Sequence, residues 1–306
     1  MKKHCTQYAL LFLVGMIALF SVVANAAQQA PASTKPEHAT YSGIYEHPIT
    51  LKDGHWQGAP FIEEGASRPT VGLVEDFRLT GDLDGDGEME HIVFLWENSG
   101  GSGTRIYLAV MGLQEGRLVN LSTTLIGDRI QLRAGRINKG KIELDVIQHG
   151  PSEPACCPSQ KATRIWSLVA GKLIQEETQL KGTLSLVDLE GVEWVLFRLK
   201  MKEDLSAKPE VTLRFDGEKI VGKSGCNRYF AGVKQLGNGA REISIGHVGS
   251  TRMACSEQAM NMERRYLEAL EGVFQFSFLG GKLALTWKKG EDLHTMLFVS
   301  RTLQSE

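Results

Sequence analysis

Short apolar runs alternate with glycine-bearing turns along most of the chain. "HIVFLW" (91–96) is followed by "NSGGSG" and then "TRIYLAV" (104–110), "RIQLRA" by "NKG" and "KIELDVI", and "TRIWSLV" by Ala170-Gly171 and "KLI". β-branched and aromatic residues in partly alternating runs between turn signals predict β-hairpins, so the first half is expected to be mainly antiparallel β. After the hinge-like "LKGTLSLVDLE", a second set of hairpins begins near Gly191 with "VEWVLFRL".

Helical periodicity follows Cys255. Ser256 is the expected N-cap, Glu257 lies in the first turn, and Ala259, Met262, Tyr266 and Leu270 recur at helical spacing before Gly272 stops the helix. Glu263, Arg264 and Glu268 are assigned to the opposite, solvated face. Such a helix packs on a sheet through its apolar side; the functional alternative is a lid over a hydrophobic cavity.

The N-terminus departs from this pattern. Lys2 and Lys3 precede an apolar run from Ala9 to Val23 that ends in Ala24-Asn25-Ala26, the layout of a secretory signal peptide cleaved after Ala26. The run is too short for a retained membrane helix, so no integral membrane segment is expected after signal removal. Cys5 precedes the apolar core and is not a lipoprotein cysteine. The protein is therefore expected to be periplasmic or secreted. Residues 27–38, "AQQAPASTKPEH", read as a flexible leader. The remaining length exceeds the usual single domain and predicts two: 39–183, β-rich with an Asp-rich loop, and 186–303. The expected class is mainly β or α+β.

The formal net charge is −2, and becomes −4 without Lys2 and Lys3, the only charges before Ala27. No basic excess points to a nucleic-acid or anionic-membrane partner.

Identity is concentrated in "GKSGCNRYFAGV" (222–233), followed by "TRMAC" (251–255) and the helix. This segment resembles the META domain, the HslJ-like family of bacterial heat-shock envelope proteins. The matching positions are Gly222, Gly225, Cys226, Asn227, Thr251, Met253 and Cys255, supported by Trp194 and "KLALTW"; the resemblance runs from about Leu189 to Ser300. It implies an antiparallel, barrel-like sheet with one helix across it. The family is linked to secretion, motility, stress and antibiotic tolerance, with no established enzymatic reaction. The first half resembles a region that accompanies META domains in some secreted proteobacterial proteins, through "GDLDGDG", "GGSGT", "GDRIQL" and "EPACCP".

Cys226 and Cys255 lie 29 positions apart in one small domain, and in an oxidising compartment a disulfide is the default reading. Closing that loop stabilises by roughly 3 kcal/mol in the chain-entropy model. A reactive Cys255 thiol at the helix start is the alternative. Asn227 is assigned to a turn, because asparagine tolerates left-handed backbone and bonds its own backbone. Cys156 and Cys157 are left open between a vicinal disulfide, free thiols and a metal site with His149.

"GDLDGDGEME" (81–90) places Asp82, Asp84 and Asp86 at positions 1, 3 and 5 of a calcium loop, with Gly87 at the sharp turn. Position 12 is Val93, not glutamate, and a β run follows, so the likeness is to inter-strand loops in which Glu90 supplies a further ligand. Three carboxylates crowded on one turn repel unless a cation compensates. A structural calcium ion is therefore expected, the alternative being a charged turn. "NSGGSGT" lacks the Lys-Ser/Thr ending of a phosphate cradle and reads as a turn. Asp76 and Glu97 are the candidate acid and base of a hydrolase, on one sheet face.

The expected function is that of a non-enzymatic envelope protein, stress- or secretion-associated, that binds another envelope protein or a hydrophobic ligand. The alternatives are a calcium-stabilised enzyme-inhibitor or carbohydrate-binding module, and a hydrolase.

Overall fold

The computed structural model describes residues 35–302, apart from 64, 66, 102, 152, 154–156, 202, 204–208 and 237–240. The signal peptide and most of the leader lie outside these residues, as does Cys156. The described residues form one compact unit. Pro36–His38 is already a 3-10 turn: the Tyr41 hydroxyl donates to Pro36 O at 2.9 Å and Glu37 pairs with Arg78. The leader expected through His38 is therefore anchored at its end.

The N-terminal strands are β1 (Thr40–Tyr41), β2 (Ile49–Thr50), β3 (His55–Gln57), β4 (Thr70–Gly81), β5 (Glu90–Asn98), β6 (Arg105–Gln114), β7 (Arg117–Asp128), β8 (Gln131–Asn138), β9 (Lys141–Gln148), β10 (Gln160–Val169) and β11 (Lys172–Thr183). They make a two-stranded sheet of β1 and β2, a five-stranded sheet in the order β3-β4-β5-β6-β7 and a four-stranded sheet in the order β11-β10-β9-β8. Phe94 and Leu108 of the first sheet meet Leu144 and Trp166 of the second in one core. The opposite face of β5 and β6 is covered by Tyr41, Ile49 and Leu51, which pack on Leu95 and Ala109. These central strands are buried on both faces, which is why they read as unbroken apolar runs. β11 is different: it starts at the expected "KLI" but continues to Thr183 with nearly every residue exposed or half-exposed, absorbing the first part of the hinge-like segment.

Beyond Gly191 come β12 (Val192–Arg198), β13 (Thr212–Asp216), β14 (Lys219–Lys223), β15 (Arg228–Gln235), β16 (Ile243–Ile245), β17 (Gly249–Ser250), helix α1 (Glu257–Glu271), β18 (Val273–Leu279), β19 (Lys282–Lys289) and β20 (Asp292–Thr302). They form a nine-stranded antiparallel sheet in the order β16-β15-β14-β13-β12-β20-β19-β18, with β17 on β15. An isolated bridge between Glu242 and Gln275, with the Phe276 N–H donating to Arg241 O at 3.0 Å, nearly closes it into a barrel. α1 begins where expected, with Ser256 Oγ accepting from the Ala259 N–H at 3.4 Å. It buries Met262, Tyr266, Ala269 and Leu270 in the barrel core, so it packs by its apolar side. Among the described residues no helix is long and apolar enough to cross a membrane.

The barrel sits on the N-terminal sheets through the end of β18, the β18–β19 turn and the 3-10 turn Leu186–Leu189. Gly281 N–H donates to Leu132 O at 2.9 Å, Phe278 N–H donates to Gln131 Oε1 at 2.9 Å, and Lys161 pairs with Asp188 at 2.6 Å. Gly281 has positive φ, and a Cβ there would stand 2.9 Å from the Phe77 ring. Phe77 belongs to a bulge in β4, between Leu73 and Arg78, that includes Asp76 at φ 55°.

Candidate functional site

Three places concentrate chemistry. In the Asp-rich loop, carboxylate oxygens of Asp82, Asp84 and Asp86 lie within 4.8 Å of one another. Asp82 accepts from the Gly85 N–H at 2.7 Å and the Gly87 N–H at 3.1 Å, using both oxygens to shape the turn. Asp84 and Asp86 each use only Oδ1, towards the N–H two residues on. Glu90, the expected fourth ligand, stands apart from this set: it is buried, and its Oε2 accepts from the Leu83 N–H at 2.8 Å. Burial raises the Glu90 carboxyl, and the three aspartates raise it further.

The second place is the GCN segment. Asn227, expected to serve a local turn, instead makes long-range bonds. Its Oδ1 accepts from Met253 N–H at 2.7 Å and Thr251 Oγ1 at 2.8 Å, while its Nδ2 donates to Glu263 Oε1 at 2.9 Å. Its backbone N–H donates to Glu263 Oε2 at 2.8 Å, and Ser224 Oγ lies 2.6 Å from the same oxygen. Glu263 is thus not on the solvated face of α1; it is only 9% exposed. The sequence held the signal: position 263 is four after Ala259 and three before Tyr266, inside the apolar stripe. Burial pushes its carboxyl up, but donation from Ser224 and from both Asn227 groups outweighs this and holds it below the usual range.

Backbone geometry explains the glycines. A Cβ on Gly222 would lie 2.0 Å from Thr212 O, and Gly225 has φ +107°. Cys226 and Cys255 are disulfide-bonded, with Cα atoms 5.9 Å apart. The loop 251–256 is therefore held to the β14–β15 connection by a covalent bond and by one saturated asparagine amide. Met253 contributes its backbone to this latch and leaves its side chain 54% exposed. Cys157 is also disulfide-bonded, which removes a thiolate from any metal site with His149.

The third place is a cleft of about 560 Å³ between the lobes. Val74, Trp96 and Ile106 form one wall; Met201, Leu279 and Leu297 form the other. At its rim Arg198 pairs with Glu75 at 3.3 Å, and the buried Lys282 approaches Asp76 at 3.5 Å while lying over the Phe197 ring. The hydrolase pair does not assemble. Asp76 lines this cleft, whereas Glu97 lines a separate cavity of about 300 Å³ beside the glycine-rich turn. Glu97 is 1% exposed, accepts from the Tyr45 hydroxyl at 3.1 Å and faces Arg105 at 3.2 Å. Alternation along β5 turns it toward Leu95 and the core under Tyr41, away from the interlobe side. Burial, then the Glu97 charge, raises the Tyr45 hydroxyl well above its ordinary value.

The chain is similar to a protein from Burkholderia xenovorans of solved NMR structure, at 26% identity over 39% of this chain and 87% of that one, with a TM-score of 0.31. No curated protein matches. The META domain family model matches residues 187–301, spanning the barrel strands, the latch and α1. The C-terminal half of the chain therefore carries a META domain.

Proposed function

We propose that the protein is an exported envelope protein that acts by binding, not by catalysis, and takes a hydrophobic ligand into the cleft between its lobes. The observation that carries this reading is the cavity of about 560 Å³ with apolar walls from both lobes. Small-molecule sites are typically of this size, mainly apolar, with a few polar groups that fix orientation. Here Arg198 and Lys282 with their carboxylates would orient the polar end. A META domain is consistent with an envelope-associated protein, and the Cys226–Cys255 bond suits an oxidising compartment. A stress- or secretion-associated role, with another envelope protein as the alternative occupant, belongs to the same reading.

Titration with the uncharged fluorophore N-phenyl-1-naphthylamine tests it. Saturable, blue-shifted emission is expected, and Met201→Trp, which fills the mouth of the cleft without entering the core, should weaken it at least about tenfold, the size of effect expected when a pocket wall is remodelled. Leu293→Ala, at an exposed position away from the cleft, should not. Equal binding by the parent and Met201→Trp would refute the assignment.

A second reading concerns the Asp-rich loop, where one oxygen of Asp84 and one of Asp86 stay outside the loop's own hydrogen bonds. A calcium ion held there would have a structural role, tying the β4–β5 turn.

A further inference from the structure

The outer face of β13, β14 and β15 is a cationic field. Alternate residues of these strands face the barrel core, so Arg214, Lys219, Lys223, Arg228 and Lys234 project to solvent, and all five are exposed. Among the described residues none of them has an ion pair within 4.0 Å. Asp216 stands directly opposite Lys219 across the β13–β14 register, with Glu218 in the turn beside it, so compensation is confined to the hairpin end and the uncompensated charge lies at Arg214, Lys223, Arg228 and Lys234. Lys223 stands directly opposite Arg228 across the β14–β15 register. Like charges in that relationship destabilise a sheet, and among the described residues no ion pair offsets this one. A fold that tolerates such repulsion usually does so for function.

The centre of the face is apolar. Register aligns Arg214, Val221, Phe230 and Gly249 in one row across four strands, about 14 Å at normal strand spacing. Phe230 is 63% exposed, with its ring over Gly249. The chain's net charge of −2 conceals this field, because it sums 34 basic and 36 acidic residues over the whole chain.

We propose that this face docks the protein on an anionic phospholipid bilayer, with Phe230 entering the boundary between headgroups and acyl chains and the surrounding cations reaching lipid phosphates. Lysine and arginine suit this arrangement because their long stems lie along apolar surface while the charged ends stay in the polar layer. Each cation near an anionic membrane surface raises affinity about fivefold. A single exposed aromatic beside an aliphatic residue fits interfacial insertion. Sheets that bind single-stranded nucleic acid present a series of stacking rings instead. The surface is independent of the interlobe cleft.

Co-sedimentation of the purified protein with vesicles tests the proposal. Vesicles of phosphatidylglycerol and phosphatidylethanolamine should bind the protein, phosphatidylcholine vesicles should not, and added sodium chloride should release it. Lys223→Gln and Arg228→Gln should each weaken binding about fivefold; Phe230→Ser should weaken it too, and Lys223→Arg should retain it. Thermal unfolding keeps the test interpretable, since Lys223→Gln relieves repulsion and should not lower the melting temperature. Equal binding to neutral vesicles, no binding to anionic vesicles, unchanged binding by the two glutamine variants, or tighter binding to a single-stranded oligonucleotide than to vesicles would overturn the proposal.

Discussion

Asn227 and Glu263 are joined by two hydrogen bonds across 36 positions of sequence: the backbone N–H of Asn227 donates to one carboxylate oxygen at 2.8 Å, and its side-chain amide donates to the other at 2.9 Å. Both partners are buried. The bond pair couples α1 to the β14–β15 connection, and Asn227 passes the coupling on to Thr251 and Met253.

Removing the carboxylate should be costly. Glu263→Ala strands the Asn227 N–H in the core, weakens the tie on Ser224, and leaves a cavity, for an expected loss of about 3 kcal/mol. Glu263→Gln should lose about 2 kcal/mol, because the new amide brings a donor to a place that needs acceptors. The pH dependence has a definite sign. The folded carboxyl is held below its ordinary value of 4.5, so its stabilisation is present above that pH and is lost as pH falls through the lowered folded value. Urea titrations at pH 7 and at pH 3.5 check this: the gap between the parent and Glu263→Gln should narrow in acid. A gap that widens would contradict the assigned shift.

Covalent and hydrogen-bonded latches hold the same loop, so they should be coupled. Replacing Cys226 and Cys255 together by serine is expected to lower stability by about 3 kcal/mol, the chain-entropy value for a loop of this size. Combining that change with Thr251→Ala should give a non-additive result of at least about 0.5 kcal/mol, since both act on residues 251–255. Non-reducing peptide mapping of the protein purified without reductant should recover the Cys226–Cys255 cross-link. Recovery of both as free thiols would remove the premise.

Hairpin positions were legible because turn chemistry is local: "NSGGSG", "NKG" and Ala170-Gly171 all separate paired strands. β11 was truncated for a physical reason. It is an outer strand held by the β10 ladder and largely exposed on both sides, so no apolar alternation marks its course beyond "KLI". Asp76 and Glu97 looked alike as isolated acids in neighbouring strands. The β4 bulge, which leaves no pattern in the sequence, and the alternation of β5 separated them; the unbroken apolar run of β5 signals burial on both faces but not which face Glu97 takes. Glu263 was readable by its helical phase, yet hydropathy alone sent it to the surface. The cationic face was hidden by averaging charge over the whole chain. It emerges once the register sets Lys223 against Arg228.

Calcium should raise the thermal midpoint of the protein, and the three aspartates should differ in how they carry that effect. Asp82 commits both oxygens to the Gly85 and Gly87 N–H groups, so Asp82→Asn is expected to destabilise the loop with or without metal. Asp84 and Asp86 keep an oxygen outside the loop's bonds, so Asp84→Asn and Asp86→Asn should mainly reduce the calcium-dependent shift. Bound metal stabilises by mass action, because the unfolded chain cannot hold these carboxylates together; at 100 times the dissociation constant the gain is about 2.7 kcal/mol. Magnesium should do less, since its small octahedral shell keeps its waters. Differential scanning calorimetry over a calcium series, with each variant, decides the matter. A midpoint unmoved by millimolar calcium, together with Asp84→Asn and Asp86→Asn variants at least as stable as the parent, would mean that the substitutions report only relief of repulsion within a charged turn.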